Sequence, residues 1–292
     1  MKKSHAFAVC AYGKSPYLEE CVRSLKRQSV PSEVMICTST PSGWLSRLAE
    51  ELHVPLYVRE GESSLKEDWL FAWRTAGETH RLVTIAHQDD RYHRDYTKHL
   101  LAYAGRYPDM TVFASDYVVL RTEERKTQDG THYPVHTELT AADGVRFVKM
   151  LMRLLLRIRP LSDRTWLKRS VLRFGNPICC PSCTYHYDRI GEAMFRSDSP
   201  FALDWENLYE LAGMPGRFVC VEKPLLAYRI HDGATTKQCI EDHRRSKDEL
   251  RMFEKLWPGW AARLLMHFYR KAYGSYGKNS CNGWERTKRD DG

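Results

Sequence analysis

The 292-residue sequence predicts an α/β fold, a mostly parallel sheet flanked by helices and followed by a C-terminal helical extension. Two observations predict it. Between Ala6 and Leu120, short apolar runs alternate with segments whose apolar residues recur at the helical period, the cadence of strand–helix–strand crossovers. With 42% hydrophobic and 12% aromatic residues, the chain also has enough apolar surface for one large core.

Each element has its own signal. "HAFAVCAY" reads as the first strand. "SPYLEECVRSLKRQ" reads as a helix with Ser15 as its cap, Pro16 in the first turn, and Leu18, Cys21, Val22 and Leu25 on one face. "EVMICT" is a second strand, Leu45, Leu48, Ala49 and Leu52 mark a second helix, and "PLYV" a third strand. Leu65, Trp69, Ala72 and Ala76 then mark a third helix, and Leu82 to Ala86 a fourth, interior strand. A helix through Leu100, Leu101 and Ala104 leads to a fifth strand, "MTVFASDYVVL".

Residues 121–142 are polar and turn-rich and read as a loop or hairpin over the sheet. Residues 145–159 read as one helix on which Arg146, Lys149, Arg153 and Arg157 form a basic stripe. Such a stripe is either the solvent edge of a core helix or a face for an anionic membrane or a second subunit. Arg263, Arg270 and Lys271 repeat the theme. A short helix from about Asp204 to Ala212, two strands and a turn after His231 complete a domain over 1–236, made of a first half (1–120) and a second half (121–236). Residues 237–292 form a helical extension to about Tyr273 and a loose tail.

The formal charge of +8 suits anionic partners. Nine cysteines at irregular spacing argue for free thiols and a cytoplasmic location, the inner membrane face included. The apolar start is broken too early for a signal peptide, and no apolar stretch is long enough to span a bilayer. No phosphate-binding glycine motif follows the first strand, which disfavours a dinucleotide fold and a P-loop. The aromatics follow strand and helix periods and no recognised nucleic-acid module is present, so nucleic acid is not an expected partner.

In open α/β sheets ligands bind beyond the carboxyl ends of the strands, and "HQDD" places Asp89 and Asp90 there. Two adjacent carboxylates stay ionised in a crevice when a cation lies beside them, and a sparse carboxylate set completed by phosphate oxygens suits Mn2+ or Mg2+. The plain alternative is a solvated acid pair or a helix cap. Asp204, in "FALDWENLYELAG", is either an ordinary N-cap or a carboxylate aimed into the crevice as a general base, with Glu206 as its competitor. "LLAYRIHDGATT" delivers Arg229, His231 and Asp232 to a turn, where an imidazole completes a metal shell or is simply a satisfied strand-end residue. Cys180, Cys183 and His186 form half of a zinc site, or small buried residues on the acceptor side.

Taken together, "AVCAYGKSPYLEECVRSLKRQSVPSEVMICTSTPS", "VTIAHQDDRY" and "LDWENLYELAGMPGRFVCVEKPLLAYRIHDGATT" resemble, in order and spacing, the family-two nucleotide-sugar glycosyltransferases of Rossmann-like GT-A fold. The resemblance covers about residues 5–119 and 175–236. It implies an inverting, metal-dependent hexosyltransferase acting on a glycan or lipid-linked acceptor, with a nucleoside-diphosphate sugar, a UDP-sugar first, as donor. It further implies Asp204 as base, Asp89, Asp90 and His231 at the metal, and Ala11, Tyr12, Thr38, Ser39, Thr40, Asp68, Gln88 and Asp89 along the nucleotide. The sequence departs from the family at three points. His87 replaces the motif's first aspartate, Leu203 replaces the glutamate before the base, and "CTSTPS" lacks the acid that reads uracil. These departures support an alternative, a non-catalytic sugar-nucleotide binder on the same fold.

Overall fold

The computed structural model describes residues 2–128, 132–140, 144–199, 202–231 and 244–277. Nine strands form one sheet: β1 (Lys3–Ala11), β2 (Glu33–Thr38), β3 (Leu56–Val58), β4 (His80–His87), β5 (Arg91–Tyr92), β6 (Met110–Lys126), β7 (His132–Thr140), β8 (Cys183–His186) and β9 (Arg217–Ile230). Their order is β3-β2-β1-β4-β8-β6-β9-β5, with β7 also paired to β6. The first four strands pair in parallel, as do β6 and β9, while β5, β7 and β8 run against them. The expected parallel half is therefore continuous. The short β8, wedged between β4 and β6, joins it to the second half.

Helices cover both faces: α1 (Leu18–Lys26), α2 (Gly43–Glu51), α3 (Leu65–Thr79), α4 (Tyr96–Arg106), α5 (Gly144–Arg153), α6 (Thr165–Leu172), α7 (Tyr187–Ile190), α8 (Leu203–Leu211), α9 (Arg244–Leu256) and α10 (Gly259–Gly277). The strand period of two divides β1 between two cores. Phe7, Val9 and Ala11 pack with Leu18, Val22 and Leu25 of α1 and Leu45 and Leu48 of α2. Ala6 and Ala8 face Trp69 and Trp73 of α3, in a core that also takes Leu208 of α8, Phe253 of α9 and Met266 of α10. The C-terminal helices are thus built into the main core. The boundary expected at 236 lies outside the described residues, as do Asp232 and most of the tail.

Two local expectations change and one is decided between its alternatives. Ser15 does not cap α1, whose N-cap is Tyr17 without a side-chain hydrogen bond. Of the loop or hairpin expected over 121–142, the described residues form the hairpin: the end of β6 pairs with β7, antiparallel from Val119↔Thr140 to Lys126↔His132. The basic stripe over 145–159 is not continuous: α5 ends at Arg153 and a 3-10 turn follows from Leu154 to Arg157. Arg153 is buried, its guanidinium donating to Asp116 (2.7 Å) and to the Pro177 carbonyl (2.6 Å). The Arg153 cation has turned inward, while Phe147, Val148, Leu151, Leu155 and Ile158 are exposed along with Arg157. Among the described residues no helix is long and apolar enough to cross a membrane.

Candidate active site at the carboxyl edge of the sheet

Register brings the site together. Ala11 of β1 is level with Thr38 of β2, and Cys10 is level with His87 of β4, so these strands end on one edge. There the chain turns sharply at Gly13, whose φ of +58° favours glycine. Gln88 clamps the turn, accepting from the Tyr12 amide and donating to its carbonyl, both at 3.0 Å. Thr40 Oγ1 accepts from the Gly13 amide at 2.8 Å, and Thr38 Oγ1 accepts from the Thr40 amide at 3.0 Å. Ser39 donates to Asp68 (3.0 Å), which is also held by Arg59 Nε (2.9 Å) and Ser63 (2.8 Å). Ala11, Tyr12, Thr38, Ser39, Thr40, Asp68 and Gln88 therefore form one continuous rim. The Tyr12 ring is 64% exposed and leaves a flat aromatic face open on it.

The two adjacent aspartates divide. Asp89 faces the crevice: Ser15 donates to its Oδ1 at 2.7 Å, and His231 Nε2 lies 3.5 Å from its Oδ2. Burial acts to raise this carboxyl, but the His231 imidazole and the Ser15 hydroxyl outweigh it and hold Asp89 below the usual carboxylate range. Asp90 is turned inward and buried, accepting the Arg229 amide at 2.9 Å. Burial pushes it well above the carboxylate range, and Asp89 adds to the effect. Beneath both lies buried Arg229, donating to the Asp89 carbonyl (2.8 Å) and to Thr122 (2.6 Å), pairing with Glu20, and stacking its guanidinium 4.2 Å from the Tyr17 ring. The adjacent acids are tolerated because burial disfavours the charge on Asp90 and a fixed cation, Arg229, sits below.

His87 stacks on Trp69, with ring centroids 5.2 Å apart. Burial lowers its pKa to about 4, so a neutral imidazole occupies the position before the acid pair.

On the acceptor side, Asp204 lies in the first turn of α8 rather than at its cap, which is Ala202. It is half-buried, and its Oδ2 accepts from Asn176 Nδ2 at 2.8 Å, while the Asn176 carbonyl oxygen takes the Ile178 amide at 3.1 Å. Glu206, the competing acid, is engaged by Ser197 and Lys255. The turn before β8 connects the two carboxylate sites. Burial pushes the Cys179 thiol up, and the charges of Asp90 and Asp204 both add to it. Burial and Asp204 act likewise on Cys180, so both thiols are inert.

Among the described residues no group of three or more His, Cys, Asp and Glu is arranged to hold a metal, so Cys180, Cys183 and His186 do not complete a zinc site. Asp89 and His231 offer two ligands. Both His231 ring nitrogens are buried without a hydrogen-bond partner, and the unpartnered Nε2 beside Asp89 fits a cation whose remaining ligands are phosphate and water. Sequence reasoning missed three supports: Ser15 on Asp89, Asn176 on Asp204, and Glu124, whose Oε1 lies 3.1 Å from His231 Nδ1. Asn176 was signalled only as a polar residue before proline in an apolar stretch, and Glu124 not at all.

No protein-family model matches the chain, and no curated protein matches it in sequence. Solved structures do match its fold. Residues 1–349 of TarS from S. aureus superpose with a TM-score of 0.56 at 12% identity, over 95% of this chain and 74% of that one. The same TarS fragment in complex with UDP gives 0.52 at 12% identity over the same shares. The mannosyltransferase PcManGT from Pyrobaculum calidifontis, in complex with GDP-Man and Mn2+, gives 0.57 at 13% identity, over 95% of this chain and 76% of that one. The chain has the nucleotide-diphospho-sugar glycosyltransferase fold.

Proposed function

We propose that this chain is an inverting glycosyltransferase that moves a sugar from a nucleoside-diphosphate donor to a hydroxyl of a glycan or lipid-linked acceptor. The observation that carries the reading is the contact of Asp89 with a buried His231 at the carboxyl edge of the sheet. Asp204 is held by Asn176, and its charge acts together with that of Asp90 on the Cys179 thiol. The complexes of the structural neighbours with UDP and with GDP-Man and Mn2+ support a nucleotide-sugar donor.

In this reading the rim from Ala11 to Thr40, with Asp68 and Gln88, takes the nucleoside, Tyr12 offering its ring to the base. Asp89 and His231 would hold a divalent cation, Mn2+ or Mg2+, while Asp90 stays buried and fixes the strand end through the Arg229 amide. The cation, when bound, supplies positive charge to the departing diphosphate. Asp204 accepts the proton of the acceptor hydroxyl as that oxygen attacks, and Asn176 keeps the carboxylate turned to it. The net charge of +8 gathers the anionic donor.

The test is Asp204→Asn and Asp89→Ala against a panel of UDP- and GDP-sugars with Mn2+. Asp204→Asn is expected to keep donor binding by calorimetry and to lower transfer by about 10²–10⁴-fold. Asp89→Ala is expected to lose the metal-dependent part of donor binding. Normal turnover by Asp204→Asn contradicts the base assignment. His87 and Leu203, at positions where acids are expected, favour a second reading: a sugar-nucleotide binder without transfer. Tight donor binding by the wild-type chain, with no hydrolysis or transfer on any acceptor, selects it.

A further inference from the structure

We propose that Glu124 is a positioning residue that fixes the tautomer and the aim of His231, presenting the Nε2 lone pair to a divalent cation at Asp89. The inference rests on the reading of Asp89 and His231 as the cation's ligands and adds a role for a residue that touches neither cation nor donor.

Glu124 lies in the part of β6 that pairs with β7, where the register shifts between Glu123 and Glu124. A bulge of this kind breaks the strict alternation of faces and re-aims a side chain. Here the re-aimed side chain is 2% exposed, and its Oε1 accepts from the Tyr17 hydroxyl at 2.5 Å while lying 3.1 Å from His231 Nδ1. His231 is itself 8% exposed in its side chain, with the Tyr17 ring edge-on at 4.9 Å between centroids. The imidazole is thus enclosed by Glu124, Tyr17 and Asp89, and its rotation is restricted.

A neutral imidazole has one N–H and one lone pair. Neither ring nitrogen makes a hydrogen bond of good geometry, and a carboxylate lies beside each; Glu124 is the nearer, 3.1 Å from Nδ1 against 3.5 Å between Asp89 Oδ2 and Nε2, so it favours the proton on Nδ1 and the lone pair on Nε2. Two ligands of one hard cation, each about 2.1 Å from it, stand roughly 3.0–3.5 Å apart at ordinary coordination angles. The observed spacing therefore suits a shared cation, whereas the opposite tautomer would aim an N–H at the metal position and repel it.

The experiment measures Mn2+ affinity of the full chain with UDP, and separately with GDP, from the loss of the free Mn2+ paramagnetic resonance signal. It compares wild type with Glu124→Ala, Glu124→Gln, His231→Ala and the Glu124→Ala/His231→Ala pair, each checked for folding by thermal unfolding. Glu124→Ala is expected to weaken Mn2+ about 10–100-fold, the usual effect of removing a partner behind a ligating histidine. Glu124→Gln, whose amide oxygen still accepts from Nδ1, is expected to stay within about threefold of wild type. In the His231→Ala background, Glu124→Ala is expected to cost nothing further. Wild-type affinity in Glu124→Ala, or full multiplication of the two losses, overturns the positioning role while leaving His231 a ligand. Wild-type affinity in His231→Ala, or no Mn2+ binding by the wild-type chain, overturns the metal reading and this inference with it. Should Glu124→Ala not fold, ¹⁵N resonances of His231 in the wild-type chain decide: a protonated Nδ1 supports the role, and a protonated Nε2 overturns it.

Discussion

At the scale of single residues, the site depends on how its acids are held. Asp204 is in a helical first turn with Asn176 on one oxygen, and Asn176 is itself braced through the Ile178 amide. An amide that both donates to the carboxylate and accepts from the backbone sets direction rather than charge. Asn176→Ala is accordingly expected to lower kcat by about 10–100-fold, the effect of a displacement near 1 Å, with the donor KM unchanged. Steady-state kinetics separating kcat from KM check this; a rise in KM alone would mean that Asn176 serves the donor pocket instead. The acids and the imidazole were legible in the sequence because each follows an apolar strand or opens a helical period. Their partners were not. Ser15 had the sequence of a helix cap, yet its hydroxyl reaches Asp89, 74 positions away in the chain. Glu124 sat in a polar run with no period, where only a bulge decides which way a side chain points.

At the scale of elements, periodicity identified the helix beginning near residue 145 but not which side of it faces the protein. The cations at spacings of three and four share a face whether that face meets water or the core. In the structure Arg153 is 3% exposed and paired with Asp116, itself 2% exposed, and the same guanidinium takes the Pro177 carbonyl beside Asn176. This pair ties α5 to β6 and to the loop that carries the Asp204 support. Breaking one side leaves a buried charge: Arg153→Leu is expected to destabilise by about 3–5 kcal/mol. The Asp116→Leu/Arg153→Leu double variant is expected to recover much of that loss, because no unpaired charge remains. Urea denaturation of the three chains checks it, and a double variant no more stable than the single one would show that shape, not charge, is what the pair supplies. The same helix shows why sheet order was only partly legible. The strands and their directions up to β4 follow from local cadence, but the insertion of the four-residue β8 between β4 and β6 is set by contacts more than 60 positions apart.

At the scale of the whole molecule, the two cores meet through the first strand, and a titratable group lies at that junction. His5 is buried between strands, with Nδ1 2.8 Å from the Ser32 hydroxyl and Nε2 2.8 Å from the Thr84 hydroxyl. Burial first, and the charge of His80 second, lower its pKa from 6.5 to about 3. In the unfolded chain the imidazole regains its ordinary value, so between about pH 6.5 and 3 the unfolded state binds a proton that the native state refuses. The sign follows: stability is unaffected by this group above pH 6.5 and falls as pH drops below it, by up to about 1.4 kcal/mol per pH unit. Between pH 7 and pH 5 the loss assignable to His5 is about 2 kcal/mol. His5→Gln cannot be protonated and keeps a donor and an acceptor for the two hydroxyls. Urea midpoints of both chains at pH 7 and pH 5 test the assignment: the variant is expected to start less stable and to lose about 2 kcal/mol less on acidification. Parallel losses in the two chains would place the acid sensitivity elsewhere in the fold, and the junction of the two cores would then be no weak point at low pH.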